Sequence, residues 1–325
     1  MRIFAAILKN DFRRLMERKS KFILFFVLTA GAIAVAIFMN TKADIVGHIA
    51  VVSKNDVIIP STHLNITPLE KAPPTSDLVA GKYDAVVSFD VHGRYEIQTI
   101  KNDDFKQMLD TIISDPSSFH TSEIGGRDKG TNIIGFIMMF ILMQGVSMTF
   151  MFAEDKDKKQ IKRIAASPVS FMGYLYGHSF FTFIFLLMPT IIILLAVKLL
   201  FSINIGFAIM EYFFLTAILS ALATSFALFL IALIKAGDFA NMIGSAIIIL
   251  TSILAGSFYS FDKGNKVLET VIKVLPQKAF LSMSELLEAG KDISLWYHHG
   301  LYIVVLIIIF FIAAMVKTRM DYVKN

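Results

Sequence analysis

Six apolar runs, each about as long as a lipid bilayer core is thick, constrain the fold of this chain more than any other feature. They cover residues 22–39, 132–152, 173–200, 207–234, 239–257 and 295–316. A helix rises 1.5 Å per residue, so about 20 apolar residues cross a hydrocarbon core of roughly 30 Å. With 55% hydrophobic residues, the chain is too apolar for a soluble two-domain protein. The sequence therefore predicts an all-α polytopic membrane protein with six transmembrane helices.

Basic residues beside the apolar runs indicate the topology. Residues 1–21 predict a cytoplasmic interfacial helix, with apolar side chains on one face and charged side chains on the other. The apolar face holds Ile3, Phe4, Ile7, Leu8, Phe12 and Leu15, and the charged face holds Lys9, Arg13, Arg14, Glu17 and Arg18. Both termini are expected in the cytoplasm by the positive-inside rule, and the first run is expected to remain uncleaved. The net charge of +5 is therefore attributed to basic residues that set the orientation in the membrane, and not to nucleic-acid binding.

Residues 40–131 differ in composition and contain no stretch able to span a membrane. Short β-branched runs at Ile49–Ser53 and Ala85–Phe89, and alternation over Tyr95–Ile100, predict strands, the last at a sheet edge. Residues 103–113 have helical periodicity. We expect a small mixed α/β extracytoplasmic domain inserted between transmembrane helices one and two.

Two further expectations concern prolines. Pro189 is expected to kink or loosen the third span. Residues 258–294 are expected to form an external interfacial segment, with a short interfacial or re-entrant helix that ends at Pro276.

A charged island at residues 153–172 separates the second and third spans. Its charged members include Glu154, Asp155, Lys156, Asp157, Lys158, Lys159, Lys162 and Arg163, and Ser167 and Pro168 follow them. Such a block is costly in hydrocarbon, so we expect it to project into water, with a helix over 158–166 that Pro168 stops. It is either an ordinary solvated loop or the place where a soluble partner docks.

Polar and small side chains recur at helical spacing in three spans. They are Gln144 in the second, Thr216 and Ser220 in the fourth, and Asn241, Ser245, Thr251 and Ser252 in the fifth. They mark either helix packing or a translocation path. Gly173 and Gly177 favour packing, and His178 is expected near a membrane edge.

Several chemistries find no support in the sequence. There is no cysteine, no catalytic Ser-His-Asp order, and no Gly-x-x-x-x-Gly-Lys-Ser/Thr phosphate loop. His298 and His299 are adjacent, a spacing that disfavours a metal site. The chain is therefore expected to have no enzymatic activity, cofactor or metal of its own.

The order of these parts resembles the membrane subunits of ABC type-2 exporters, in the subgroup with a large extracytoplasmic domain. The similarity is most specific in the charged island, where Asp155 lies eight residues before Arg163, and Ser167-Pro168 lie four and five after it. Lys159-Gln160 stand where the family pattern has Gly-Thr. HIAVVSKND, LVAGKYDAVVSF and Leu275-Pro276 are also similar to family segments.

The resemblance implies a permease half in a bacterial plasma membrane that forms a homodimer or heterodimer. A separate cytoplasmic ABC ATPase would bind ATP and Mg and dock on residues 153–172. The expected function is export of a hydrophobic or amphipathic substrate, such as a drug, an antimicrobial peptide or a lipid-like molecule. The alternative is a non-transporting membrane receptor or secretion-associated scaffold whose extracytoplasmic domain binds a ligand.

Overall fold

A computed structural model describes residues 2–43, 47–52, 64–69, 71–79, 81–90, 94–100, 103–114, 128–165, 171–234, 236–257 and 266–322. The chain divides into a helical unit, residues 1–36 with 129–325, and a small unit, residues 37–128. The elements in chain order are α1 (Arg2–Glu17), α2 (Lys19–Ala43), β1 (Gly47–Val52), β2 (Leu64–Leu69), α3 (Thr75–Val79), β3 (Ala85–Phe89), β4 (Tyr95–Thr99), α4 (Asp103–Ser114), α5 (Lys129–Met148), α6 (Phe150–Asp157), α7 (Gln160–Ala165), α8 (Phe171–Leu200), α9 (Ile209–Leu233), α10 (Gly237–Leu254), α11 (Lys266–Val274), α12 (Pro276–Glu288) and α13 (Ile293–Tyr322).

Six helical segments among the described residues are long and apolar enough to cross a membrane. They are Phe22–Met39, Lys129–Asp157, Phe171–Leu200, Ile209–Leu233, Gly237–Leu254 and Ile293–Asp321. This confirms the predicted fold class, since a small mixed sheet also lies between the first and second of these segments in the chain.

The core of the helical unit is formed by α5 and α9, which pack closely because small residues face each other. A Cβ on Gly145 of α5 would lie 2.7 Å from the Cβ of Ala223 of α9. α10 approaches α9 in the same way, since a Cβ on Gly244 would lie 2.7 Å from Leu230. In lipid there is no hydrophobic driving force for helix association, so the helices are held together by the dispersion contacts that such close backbone approach allows. Meanwhile α8 and α13 expose many large apolar side chains, as lipid-facing helices do.

Pro189 lies within a helix, and Pro276 lies at the start of one. α8 runs unbroken through Pro189, from Phe171 to Leu200. α11 ends at Val274, and Pro276 is the first residue of the next helix, α12. Proline suits the first helical position, where its missing N–H would lack an intrahelical partner anyway. The short helix expected before Pro276 is confirmed as α11, and a second helix, α12, was not predicted; it buries Phe280 and Leu281 in the helical unit.

The small unit contains a four-stranded sheet in the order β2-β1-β3-β4. β1 is parallel to β2 and β3, while β3 and β4 are antiparallel. Because side chains alternate along a strand, one face packs on α4 through residues such as Val87 and Leu109, and the other packs on Leu78 of α3. β4 lies at the edge, as its alternation predicts. The sequence did not predict β2, because Pro68 weakens its strand pattern. β2 lies at the edge of the sheet, where a proline is tolerated.

Candidate functional site

The charged island folds into two short helices, α6 and α7, at one end of the helical unit, called here the loop end. α6 continues almost directly from α5, and Lys158 and Lys159 form the turn into α7. Lys159 has a φ of 55°, in the left-handed region that non-glycine residues rarely adopt. This is the position where the resembled family pattern has glycine.

Arg14 of α1 joins the N-terminal helix to α6. Its Nη1 donates to Asp155 Oδ2 at 3.0 Å, and its Nη2 donates to Glu154 Oε2 at 3.1 Å and to the Met151 carbonyl at 3.3 Å. Burial of the guanidinium opposes its charge, but hydrogen bonds and negative charges from Asp155 and Glu154 outweigh burial and raise the pKa of Arg14. α1 is therefore bound to the end of the second span.

Glu154 accepts hydrogen bonds from three cationic side chains. Besides Arg14, Arg18 Nη2 lies 2.8 Å from Oε2 and Lys158 Nζ lies 2.6 Å from Oε1. The Arg18 guanidinium also lies over the Phe150 ring, 5.0 Å from its centroid. We call Arg14, Arg18, Glu154, Asp155 and Lys158 the charged cluster.

A buried polar row ties α1 to α8 behind this cluster. Tyr174 donates its hydroxyl to Asp155 Oδ2 at 2.6 Å, and His178 Nδ1 lies 3.0 Å from Asp11 Oδ2. Asp11 and His178 are both buried, and Ile7 packs where a Cβ on Gly177 would lie 2.9 Å away. His178 lies near the loop end, but α1 covers it, so its side chain does not reach water. Gly177 serves the packing of α1 on α8.

Lys156 is buried as well, against the C-terminal end of α9. Its Nζ donates to the carbonyls of Ile231 at 2.6 Å and Ile234 at 2.9 Å. These carbonyls lie in the last turn of a helix, where acceptors lack intrahelical donors and the helix dipole favours a cation. The expectation that the whole island is solvated is thus wrong for Asp155 and Lys156, whose exposures are 8% and 6%.

The remaining predicted docking residues have different surroundings. Asp157, Lys159 and Arg163 are exposed on α6, on the turn and on α7. Ser167 and Pro168 lie outside the described residues. A groove of about 650 Å³ runs between α1 and the α6 to α8 segment, lined by members of the charged cluster together with Asn10 and Gln160.

The predicted path or packing residues do not form one continuous row. Gln144 donates to Thr29 Oγ1 at 3.0 Å, which links α5 to α2. Ser147 donates to Asn241 at 3.2 Å, and Gln277 donates to Thr251 at 2.7 Å. The hydroxyls of Thr216, Ser220 and Ser252 are buried without a hydrogen-bond partner in the described part of the chain, and Ser245 is half-buried. These contacts are helix-to-helix bonds at several depths of the unit.

Sequence reasoning missed the contacts that α1 makes with α6 and α8. One signal was available, because Asp11 falls at the helical spacing of Phe4, Ile7, Leu8 and Leu15, on the apolar face. A single acid on the apolar face of a basic helix indicates a buried polar partner. The identity of that partner, His178, depends on which span α1 packs against.

Comparison with known proteins agrees with this architecture. A family model described as ABC-2 family transporter protein matches residues 95–316, about two thirds of the 325 residues. No curated protein and no solved structure matches the chain.

Proposed function

Because the chain belongs to the ABC-2 family of transporter proteins, we propose that it is the permease subunit of an ATP-driven exporter. It is a multi-pass membrane protein. In this proposal the loop end faces the cytoplasm of a bacterial cell, and the small unit lies on the far side of the plasma membrane. The substrate is hydrophobic or amphipathic, and the permease works as a dimer with itself or with a second permease.

The observation that carries the proposal is the division of charges within the island. Glu154, Asp155 and Lys156 are bound inside the helical unit, whereas Asp157, Lys159 and Arg163 point to solvent. Inward bonds attach α6 to α1, α8 and α9, and outward charges offer a surface to a soluble protein. A segment held in this way can pass a displacement at its surface to several spans. We propose that this surface docks a separate ABC ATPase.

The charge distribution supports the proposed orientation. Lys158, Lys159, Lys162 and Arg163 lie at the same end of the helical unit as Arg14 and Arg18, which the charged cluster joins to α6. Lysine and arginine within short loops concentrate on the cytoplasmic side of membranes. ATP and Mg would be bound by the partner, since the sequence contains no phosphate loop.

Co-purification tests the proposal. The tagged full-length chain is extracted from its native membrane in mild detergent, and co-purifying proteins are identified by mass spectrometry and assayed for ATP hydrolysis. We expect an ABC ATPase, and we expect Arg163→Glu to reduce its recovery by about fivefold, because a reversed charge at a docking surface opposes association.

The matched control is Lys198→Glu, the same charge reversal at the opposite end of α8. It is expected to leave ATPase recovery unchanged. If no ATPase accompanies the chain, or if both reversals act equally, docking at α6 and α7 is refuted, and the receptor or scaffold alternative gains support.

A further inference from the structure

A second cavity at the loop end combines apolar walls with an acidic rim. It measures about 620 Å³ and lies between α2, α5, α6 and α10. Its apolar lining includes Leu24, Phe25 and Leu28 of α2 and Val146 of α5. Leu24 and Leu28 are 54% and 42% exposed on the outer side of α2, so the cavity borders the lipid-facing surface. Pockets for drug-sized ligands have similar volumes, roughly 300–1,000 Å³.

The rim of this cavity carries an excess of negative charge. Arg18 and Glu154 both line it, but they neutralise each other at 2.8 Å, and Glu154 also binds Arg14 and Lys158. Asp157 and Asp238 are the other two acids of the rim. Both are exposed, and neither forms an ion pair within the described part of the chain. Two carboxylates therefore remain to meet a ligand charge.

The rest of the cavity lining, between the apolar side chains and the acidic rim, is polar but uncharged. Ser147 and Asn241 bond each other there at 3.2 Å, and Thr149 turns its hydroxyl to the Val146 carbonyl. These groups are already hydrogen-bonded, so they neither attract nor repel a charged ligand strongly. Charge selection thus depends on Asp157 and Asp238.

We propose that this cavity binds amphipathic organic cations, with the apolar body against α2 and α5 and the cationic group beside Asp157 and Asp238. An anionic lipid headgroup would meet the same carboxylates and be repelled. As a statement about the transported substrate, the inference rests on the proposed export function and narrows its substrate class from amphipathic molecules to amphipathic cations.

Equilibrium binding of two probes of matched shape tests the site. Tetraphenylphosphonium and tetraphenylborate carry four phenyl groups and opposite charges. Each is titrated onto the full-length chain in phosphatidylcholine nanodiscs, and binding to empty nanodiscs is subtracted. We expect saturable binding of the phosphonium only. Asp157→Asn with Asp238→Asn should weaken phosphonium binding about tenfold, since each exposed charge contributes up to about fivefold.

Two further variants locate the binding. Ser147→Phe fills the cavity and should abolish phosphonium binding, while Asp292→Asn, an exposed acid at the opposite end, should leave it unchanged. The thermal midpoint of each variant confirms that it is folded. Equal binding of the borate, undiminished binding by the Asp157→Asn and Asp238→Asn double variant, or undiminished binding by Ser147→Phe would overturn the proposal.

The assay contains no ATPase, so it separates the two proposals. If the chain co-purifies with an ATPase but does not bind the phosphonium, only the proposed substrate class is refuted. Cation binding without any co-purifying ATPase refutes the export function and leaves a cation-binding membrane protein.

Discussion

Different kinds of contact join the helices at the two ends of the helical unit. At the loop end, Arg14 joins α1 to α6 through charged side chains. At the opposite end, Glu288 of α12 accepts hydrogen bonds from the backbone N–H groups of Gly130 and Thr131, each at 2.6 Å. Those N–H groups start α5, where a carboxylate also meets the positive end of the helix dipole.

The ends differ in their left-handed residues as well. The turn before α9 places Gly206, with a φ of 86°, against the backbone of Gly130. The turn between α6 and α7 places Lys159 at a φ of 55°. Long side chains can re-form their ion pairs after a shift, whereas a backbone approach that excludes a Cβ allows little movement. The comparison indicates that a close backbone approach fixes the turn before α9 at the opposite end, whereas charged side chains join α1 to α6 at the loop end.

The largest expected effect is at the opposite end, in Gly206→Ala. A Cβ there would meet the backbone of Gly130 and the Glu288 carboxylate, and alanine also resists a φ of 86°. We expect a loss of about 3 kcal/mol or more of folding stability, measured as a lower thermal midpoint in detergent. Gly290→Ala is the control, because Gly290 has a φ of 62° but open space around it, and it should cost only about 1 kcal/mol. Equal losses of folding stability in the two variants would show that the close approach of Gly206 to Gly130 contributes nothing beyond the left-handed backbone conformation.

An intermediate effect is expected at the loop end, in Arg14→Ala. The substitution removes three hydrogen bonds and leaves Asp155, which is 8% exposed, with less compensation. We expect a loss of about 2 kcal/mol, since hydrogen bonds to charged groups are worth roughly 1.5–3 kcal/mol. Arg13→Ala breaks only a solvated pair with Glu17 and should cost less than about 0.5 kcal/mol. A thermal midpoint equal to that of Arg13→Ala would show that the charged cluster does not hold α1.

The smallest effect is expected from Lys159→Gly, and its sign is opposite. Glycine adopts a φ of 55° without the strain that lysine bears, so the substitution should stabilise the protein by about 0.5–1 kcal/mol. Lys162→Gly, within α7, should destabilise it by about 0.5–1 kcal/mol, because glycine is a poor helix former. A lower thermal midpoint for Lys159→Gly would contradict a strained turn.

Individual elements show where sequence reasoning succeeded. The apolar runs predicted the six helical segments that, among the described residues, are long and apolar enough to cross a membrane, with ends a few residues from those in the structure. Length and hydropathy are local properties of the sequence and need no tertiary contacts. A short β-branched run predicted β3, and alternation predicted the edge position of β4. α12 was missed, because Pro276 was interpreted as a stop although proline also starts helices.

The candidate site was only partly accessible from the sequence. The spacing of charged residues predicted a docking segment at residues 153–172, and the structure leaves Asp157, Lys159 and Arg163 exposed there. It did not reveal that Asp155 and Lys156 face inward. Their partners, Arg14 and Ile231, are more than seventy residues away in the chain, and no periodicity connects them.

Hydropathy and charge were thus sufficient to establish six spans, a separate small unit and a charged segment between the second and third spans, because each of these depends on transfer from water to lipid. Which charges of that segment bind inside the protein and which face solvent depended on packing. Asp155 is buried because α1 brings Arg14 beside it and α8 brings Tyr174, and Lys156 is buried because α9 ends within reach of its amine. A buried charge is tolerated only where several elements meet to supply its partners.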